Sequence, residues 1–275
     1  MPKSPEALVG VVGLGLLGRA IAARLAAAGF EVIGYDRSAE AMRGFDGRAG
    51  EEALRAPRIV LAVFDSADAE QAVSASSAGL YVDCTTGDPS RVEALASRLA
   101  KKGIRYVEAQ LSGSSDAVRR GEALMLVGGD ATGCEDLLAG ISPRRIAVGA
   151  AGMAARAKLA TNLVLGLNRA AIAEGMAFAE ALGISRGQFL DLVRASPAAS
   201  AAALAKAAKM VSGDYAPESR IRQHLKDVRT MLAASPLELP LTRAHERLLE
   251  DAVSAGDGDL DNAAIIRRWH ARSAR

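Results

Sequence analysis

Apolar and polar positions follow one rhythm up to about Val148 and another beyond it. In the first stretch, short apolar runs bounded by turn residues predict strands at Leu8–Gly13, Glu31–Tyr35, Arg58–Val63, Leu80–Cys84 and Ile104–Ala109, with later ones at Ala123–Val127 and Arg145–Val148. Helical patterns lie between them at Leu16–Ala28, stopped by Gly29, then at Asp68–Ser76, Ser90–Lys102 and Glu135–Ala139. Parallel neighbours need a crossover, so this alternation predicts a mainly parallel sheet covered on both faces. After Val148 nothing reads as a strand. A helix is predicted over Ala154–Leu182, about 44 Å long at 1.5 Å per residue. Further helices follow at Arg186–Arg194, Ala198–Ser212, Arg220–Ala234, Leu239–Ser254 and Asp261–Ala271. The expected division is 1–150 and 151–275, an α/β domain followed by an all-α one.

Composition narrows the class. In 275 residues, half are hydrophobic and 34 basic side chains nearly balance 32 acidic ones, so the net charge is +2. That gives neither a nucleic-acid footprint nor a polybasic membrane patch. No run of about 18 uncharged apolar residues is present to span a bilayer. Cys84 and Cys134 are far apart, and the three histidines all lie in the last third, so no metal site or disulfide framework is expected. Lys3 and the apolar run Ala7–Leu17 imitate a secretory leader, but cleavage there would remove the first strand. A cytoplasmic location is expected.

Gly13-Leu14-Gly15-Leu16-Leu17-Gly18 is a G-x-G-x-x-G that follows the first strand and opens a helix. The first glycine allows a tight turn, the second a close approach to a pyrophosphate, and the third close helix–strand packing. The helix N-terminus then meets the anion with free N–H groups. The second strand ends at Tyr35-Asp36-Arg37-Ser38, so an acid stands where a ribose 2′-hydroxyl acceptor belongs. Asp36 repels a 2′-phosphate while Arg37 would attract one; the charge argument favours NAD, with NADP as the other option.

Four more segments complete a pattern: Asp83-Cys84-Thr85-Thr86 after the fourth strand, Leu111-Ser112-Gly113-Ser114 after the fifth, Lys158-x-x-x-Asn162 on the long helix, and Lys226-Asp227. Over nearly the whole chain this order resembles the β-hydroxyacid dehydrogenase family, which includes 3-hydroxyisobutyrate dehydrogenases and tartronate semialdehyde reductases. The resemblance implies a Rossmann-like first domain and a helical second domain of the 6-phosphogluconate dehydrogenase type. It implies an NAD(P)-dependent transfer of hydride between the nicotinamide and a short β-hydroxy acid or its semialdehyde. Lys158 would be the general acid/base, its pKa brought down from about 10.4 by its surroundings. Ser112, Gly113 and Ser114 would hold the substrate's carboxylate, with Asn162 and Asp227 also at the substrate. Val63, Phe64, Asp68, Thr86 and Lys226 would join the glycine-rich loop in contacting cofactor, while Cys84 would be a buried bystander.

Departures from the pattern bear on the substrate. Ser114 and Ser115 follow Gly113 where relatives pair glycines, which would add hydroxyls to the anion pocket. Ala154 replaces the second glycine before the lysine, and Ser219 stands where many members have phenylalanine. The Tyr-x-x-x-Lys of short-chain dehydrogenases is absent, and imine reductases resemble the chain less at Lys158. A non-catalytic sensor or scaffold is the alternative from another class. Small residues from Ala170 to Ala179 predict close helix packing and a homodimer or homotetramer.

Overall fold

A computed structural model describes residues 7–270. Lys3 and the predicted helix end at Ala271 lie outside the described residues. By contact density the chain forms two compact units, Met1–Lys158 and Leu159–Arg275.

The first unit is built on a seven-stranded sheet in the order β2-β1-β3-β4-β5-β6-β7. Its strands are β1 (Leu8–Val12), β2 (Glu31–Tyr35), β3 (Arg58–Leu61), β4 (Leu80–Asp83), β5 (Arg105–Ser112), β6 (Leu124–Gly128) and β7 (Arg145–Gly149). Between them run α1 (Leu16–Ala27), α2 (Ala39–Arg43), α3 (Ser66–Ser74), α4 (Pro89–Ala100), α5 (Ser115–Arg119) and α6 (Glu135–Ile141). All pairings are parallel except β5 with β6. The exception has a physical reason. Only a short stretch containing the five-residue α5 links those strands, less than a parallel return needs. The sequence reading missed α2, α5 and a 3-10 turn at Glu51–Arg55, and it ended β5 three residues early.

Side-chain alternation sends successive residues of each strand to opposite faces. Val9, Val11, Val60, Val82 and Val107 pack with Ile21 and Leu25 of α1 and Leu137 and Ile141 of α6. Ile59, Leu61, Tyr81 and Tyr106 pack on the other face with Val92, Leu95 and Leu99 of α4. Both faces are therefore covered, as parallel sheets require.

The helical unit takes up α7 (Met153–Ala181), whose N-terminal turns belong to the sheet unit, then α8 (Arg186–Arg194), α9 (Ala201–Ser212), α10 (Ile221–Ala233) and α11 (Pro240–Ser254). Where one last helix was expected from Asp261, a 3-10 turn (Asn262–Ile266) precedes the short α12 (Arg267–His270). The side chain of Asp261 accepts from the Ala263 N–H at 3.0 Å, fixing the start of that tight turn. Met176, Ile221, Val228, Leu249 and Ile265 form the core of this unit. Among the described residues, no helix is long and apolar enough to cross a membrane.

Candidate functional site

The glycine-rich loop has the shape its sequence demands. Gly13 sits at φ +97, where other residues are strained, and its N–H donates to the Tyr35 carbonyl at 2.8 Å. A Cβ on Gly18 would collide with the Gly13 carbonyl, so the third glycine sets how closely α1 lies on the loop. Gly15 precedes the first residue of α1, and a Cβ placed there would meet nothing within 4 Å. Open space thus adjoins the N-terminus of a twelve-residue helix that begins at Leu16 and Leu17. These residues fit a dinucleotide's pyrophosphate.

At the end of β2, Asp36 turns towards that loop. Its Oδ2 accepts from the Leu14 N–H and its Oδ1 from the Ser38 N–H, both at 2.8 Å. The carboxylate thereby braces the cradle, and each oxygen retains a lone pair that a ribose hydroxyl could use. Arg37 turns to α3, donating to Asp68 at 2.5 Å and Gln71 at 2.8 Å. Beyond β3, the Val63 N–H donates to the Thr85 hydroxyl at 3.2 Å, which ties that loop to the one carrying Thr86. Phe64 is 45% exposed, unusual for so large an apolar ring.

Lys158 is 6% exposed, and its Nζ donates to the Leu111 carbonyl at 2.5 Å. That carbonyl immediately precedes Ser112, so the lysine's ammonium lies beside the start of the Ser112-Gly113-Ser114 turn at the carboxyl end of β5. Gly113 takes φ +150. The hydroxyl of Ser114 is already engaged: it caps α5 by accepting from the Ala117 N–H at 3.2 Å. Ser115 is buried at the first position of that helix. Capping uses only an acceptor site of the Ser114 hydroxyl and leaves its O–H to donate, so the cap is compatible with an anion contact at the same residue.

Glu108, on the same face of β5, was not anticipated. It is fully buried and accepts from the N–H groups of Gly152 and Ala155, the latter at 3.1 Å, at the start of α7. Burial pushes its pKa up; the two N–H donors pull it back, and the neighbouring Asp83 adds to the rise. Asp83 pairs in register with Glu108 on β4. It accepts from the Tyr106 hydroxyl at 2.6 Å and the Thr85 N–H at 2.8 Å, and burial raises its pKa as well. The signal for Glu108 was present in the sequence as a lone acid inside an apolar strand. Cys84 is buried, and burial beside Asp83 pushes its thiol far above the ordinary range, which fits a bystander.

In the helical unit, the Asn162 amide donates to Asp227 Oδ2 at 3.4 Å, and Lys226 Nζ lies 2.9 Å from Asp227 Oδ1. Asp227 is 7% exposed. Ser219 is held by Asn262, which donates to its hydroxyl at 2.6 Å. Asn162 stands one turn beyond Lys158 along α7.

The family described as the NAD-binding domain of 6-phosphogluconate dehydrogenase matches residues 8–141, and that described as NAD-binding of NADP-dependent 3-hydroxyisobutyrate dehydrogenase matches residues 152–269. L-threonate dehydrogenase of Cupriavidus necator is 29% identical, covering 94% of this chain and 95% of that protein. The cytokine-like nuclear factor N-PAC of Anopheles gambiae is 28% identical over 97% of this chain, which spans only 51% of that protein. In fold, the chain is similar to 3-hydroxyisobutyrate dehydrogenase from Salmonella typhimurium, with a TM-score of 0.84 at 24% identity, covering 94% and 99% of the two chains.

Proposed function

Because the chain belongs to the β-hydroxyacid dehydrogenase family of 3-hydroxyisobutyrate dehydrogenase-like, NAD(P)-binding proteins, we propose that it interconverts a short β-hydroxy acid and its semialdehyde with Lys158 as general acid/base. The observation that carries this reading is the burial of Lys158 with its Nζ on the Leu111 carbonyl, next to Ser112. An amine held there has a fixed position beside the end of β5, where the substrate's hydroxyl would be presented.

The nicotinamide, when bound, supplies hydride acceptance or donation at the carbon bearing the hydroxyl. In oxidation Lys158 takes the hydroxyl proton; in reduction it returns that proton to the oxygen. Ser112 and the N–H groups at Gly113 and Ser114 receive the carboxylate, at the end of the strand where ligands of such sheets bind. On the family resemblance Asn162 and Asp227 are assigned to the substrate and Lys226 to the cofactor. Gly13–Gly18 cradles the pyrophosphate, Asp36 receives the ribose hydroxyls, and Val63, Phe64, Asp68 and Thr86 flank the cofactor; this set favours NAD over NADP. Glu108 positions Lys158 by fixing the first turn of the helix that carries it.

The names of relatives mark out the substrate class. One is an L-threonate dehydrogenase, and another, from Arabidopsis thaliana, is a glyoxylate/succinic semialdehyde reductase that is 25% identical over 94% of this chain. Short acids bearing a hydroxyl or aldehyde, including 3-hydroxyisobutyrate, are the panel to assay. Val164 and Phe178 on α7, and Leu182 just after it, are each more than half exposed, which supports self-association as a dimer or tetramer; a monomer by light scattering at micromolar concentration would remove that element.

The decisive experiment is Lys158→Ala. Turnover on the best panel substrate is expected to fall by about 10²–10⁴-fold while NADH still binds by fluorescence titration. Equal turnover in variant and parent would overturn the role of Lys158. A parent protein that binds NADH but turns over no member of the panel would favour the second reading, a cofactor-binding scaffold; one relative is named as a nuclear factor rather than as an enzyme.

A further inference from the structure

We propose that Asp68, acting with Gln71, decides cofactor choice by latching Arg37 away from the position in which it would receive a 2′-phosphate. The proposal rests on the reading that the glycine-rich loop and Asp36 hold an adenosine ribose.

Three observations in the sheet unit carry it. Arg37 directly follows the ribose-facing Asp36, so it is a cation next in the chain to the group that would meet that ribose. Its two terminal nitrogens are both engaged on α3: Nη2 donates to Asp68 Oδ1 at 2.5 Å and Nη1 to Gln71 Oε1 at 2.8 Å. Asp68 and Gln71 are three residues apart and share one helix face, so they clamp the guanidinium together. The clamp itself is anchored, since Asp65 caps α3 by accepting from the Asp68 N–H at 3.0 Å.

The consequence is a competition between anions. A phosphate monoester binds a guanidinium best through two parallel N–H bonds, and the clamp occupies one N–H on each terminal nitrogen. NADPH must therefore either displace Asp68 from Arg37 or leave its 2′-phosphate without the paired N–H donors. NADH asks nothing of Arg37. The side chain of Asp68 is only 20% exposed against 67% for Arg37, so the acid is the fixed member and the arginine the movable one.

A four-protein cycle tests this: the parent, Asp68→Asn, Arg37→Ala and the double variant, each titrated with NADH and NADPH by nicotinamide fluorescence at one low salt concentration. Asp68→Asn is expected to raise the ratio of NADPH to NADH affinity roughly five- to thirty-fold, the equivalent of about 1–2 kcal/mol. In the Arg37→Ala background the same change is expected to have little effect on the ratio. An unchanged ratio in Asp68→Asn overturns the latch. An equal gain with and without Arg37 also overturns it, assigning the effect to direct repulsion of the phosphate by Asp68. A parent protein that binds neither cofactor would instead bring down the ribose-site reading, and the latch with it.

Discussion

Asp261 in the helical unit and Glu108 in the sheet unit are both fully enclosed carboxylates, each 0% exposed, and each fixes the start of a helical segment. Their surroundings differ. Asp261 accepts from Lys206 Nζ at 2.9 Å and from the N–H groups of Glu218, Ser219 and Ala263. Burial raises its pKa, but the lysine and the N–H donors outweigh that, so the net displacement is downward. Glu108 has two N–H donors, and its nearest charged neighbour in the sheet is another acid, Asp83; its net displacement is upward. A purely structural carboxylate is thus matched with a cation, whereas the one that seats the helix of Lys158 is left costly in its charged form. Regions that carry chemistry commonly retain such tension.

The largest effect expected from this difference comes from removing the cation. Lys206 is 6% exposed and also lies 3.0 Å from Glu218, which keeps Lys209 at 3.2 Å, so Lys206→Met strands the enclosed carboxylate of Asp261. The loss should be about 3–5 kcal/mol of stability, read as a lower urea midpoint. Asp261→Asn in the same background should recover part of it. A midpoint indistinguishable from the parent would show that the pair contributes nothing and would erase the contrast with Glu108.

How far the sequence reveals these features depends on the range of the interactions. The strand–helix rhythm, the glycine spacing and the Lys158–Asn162 separation are local, and they place the cradle, the long helix and its one-turn repeat correctly. Lys206 is different: it lies near Lys209 on the same Ala-rich helix, both reach Glu218, and what separates them is Asp261, 55 residues away from Lys206. The antiparallel turn of β6 was missed for a related reason. Ala123–Val127 looks alike in either direction, and only the shortness of the connection through α5 decides. The cap at Ser114 was not legible because it depends on α5, an element too short to show a period. Glu108 was passed over because its partners at Gly152 and Ala155 are more than forty residues on.

A smaller effect, but one that separates the two acids by sign, is expected from Glu108→Gln. The Gly152 N–H meets one carboxylate oxygen and the Ala155 N–H the other. An amide can accept only one of them and turns an NH₂ group to the second, at a cost of about 1–3 kcal/mol. The deficit should vary with pH. Because the folded pKa of Glu108 is raised, the folded state holds its proton more firmly than the unfolded one. The stability this gives the parent is complete below the unfolded value of about 4.5 and is lost as pH rises through the folded pKa. The glutamine variant lacks that loss, so its deficit should be greatest near pH 4.5 and shrink towards pH 7.5. Asp261, with its lowered pKa, contributes the opposite slope: its stability is present above the unfolded value of about 3.9 and disappears as pH falls through the folded one. Urea midpoints of parent and variant across pH 4.5–7.5 provide the measurement. A deficit that grows with pH would mean that Glu108 is held as a stabilised anion like Asp261, and that the start of α7 rests on a matched charge after all.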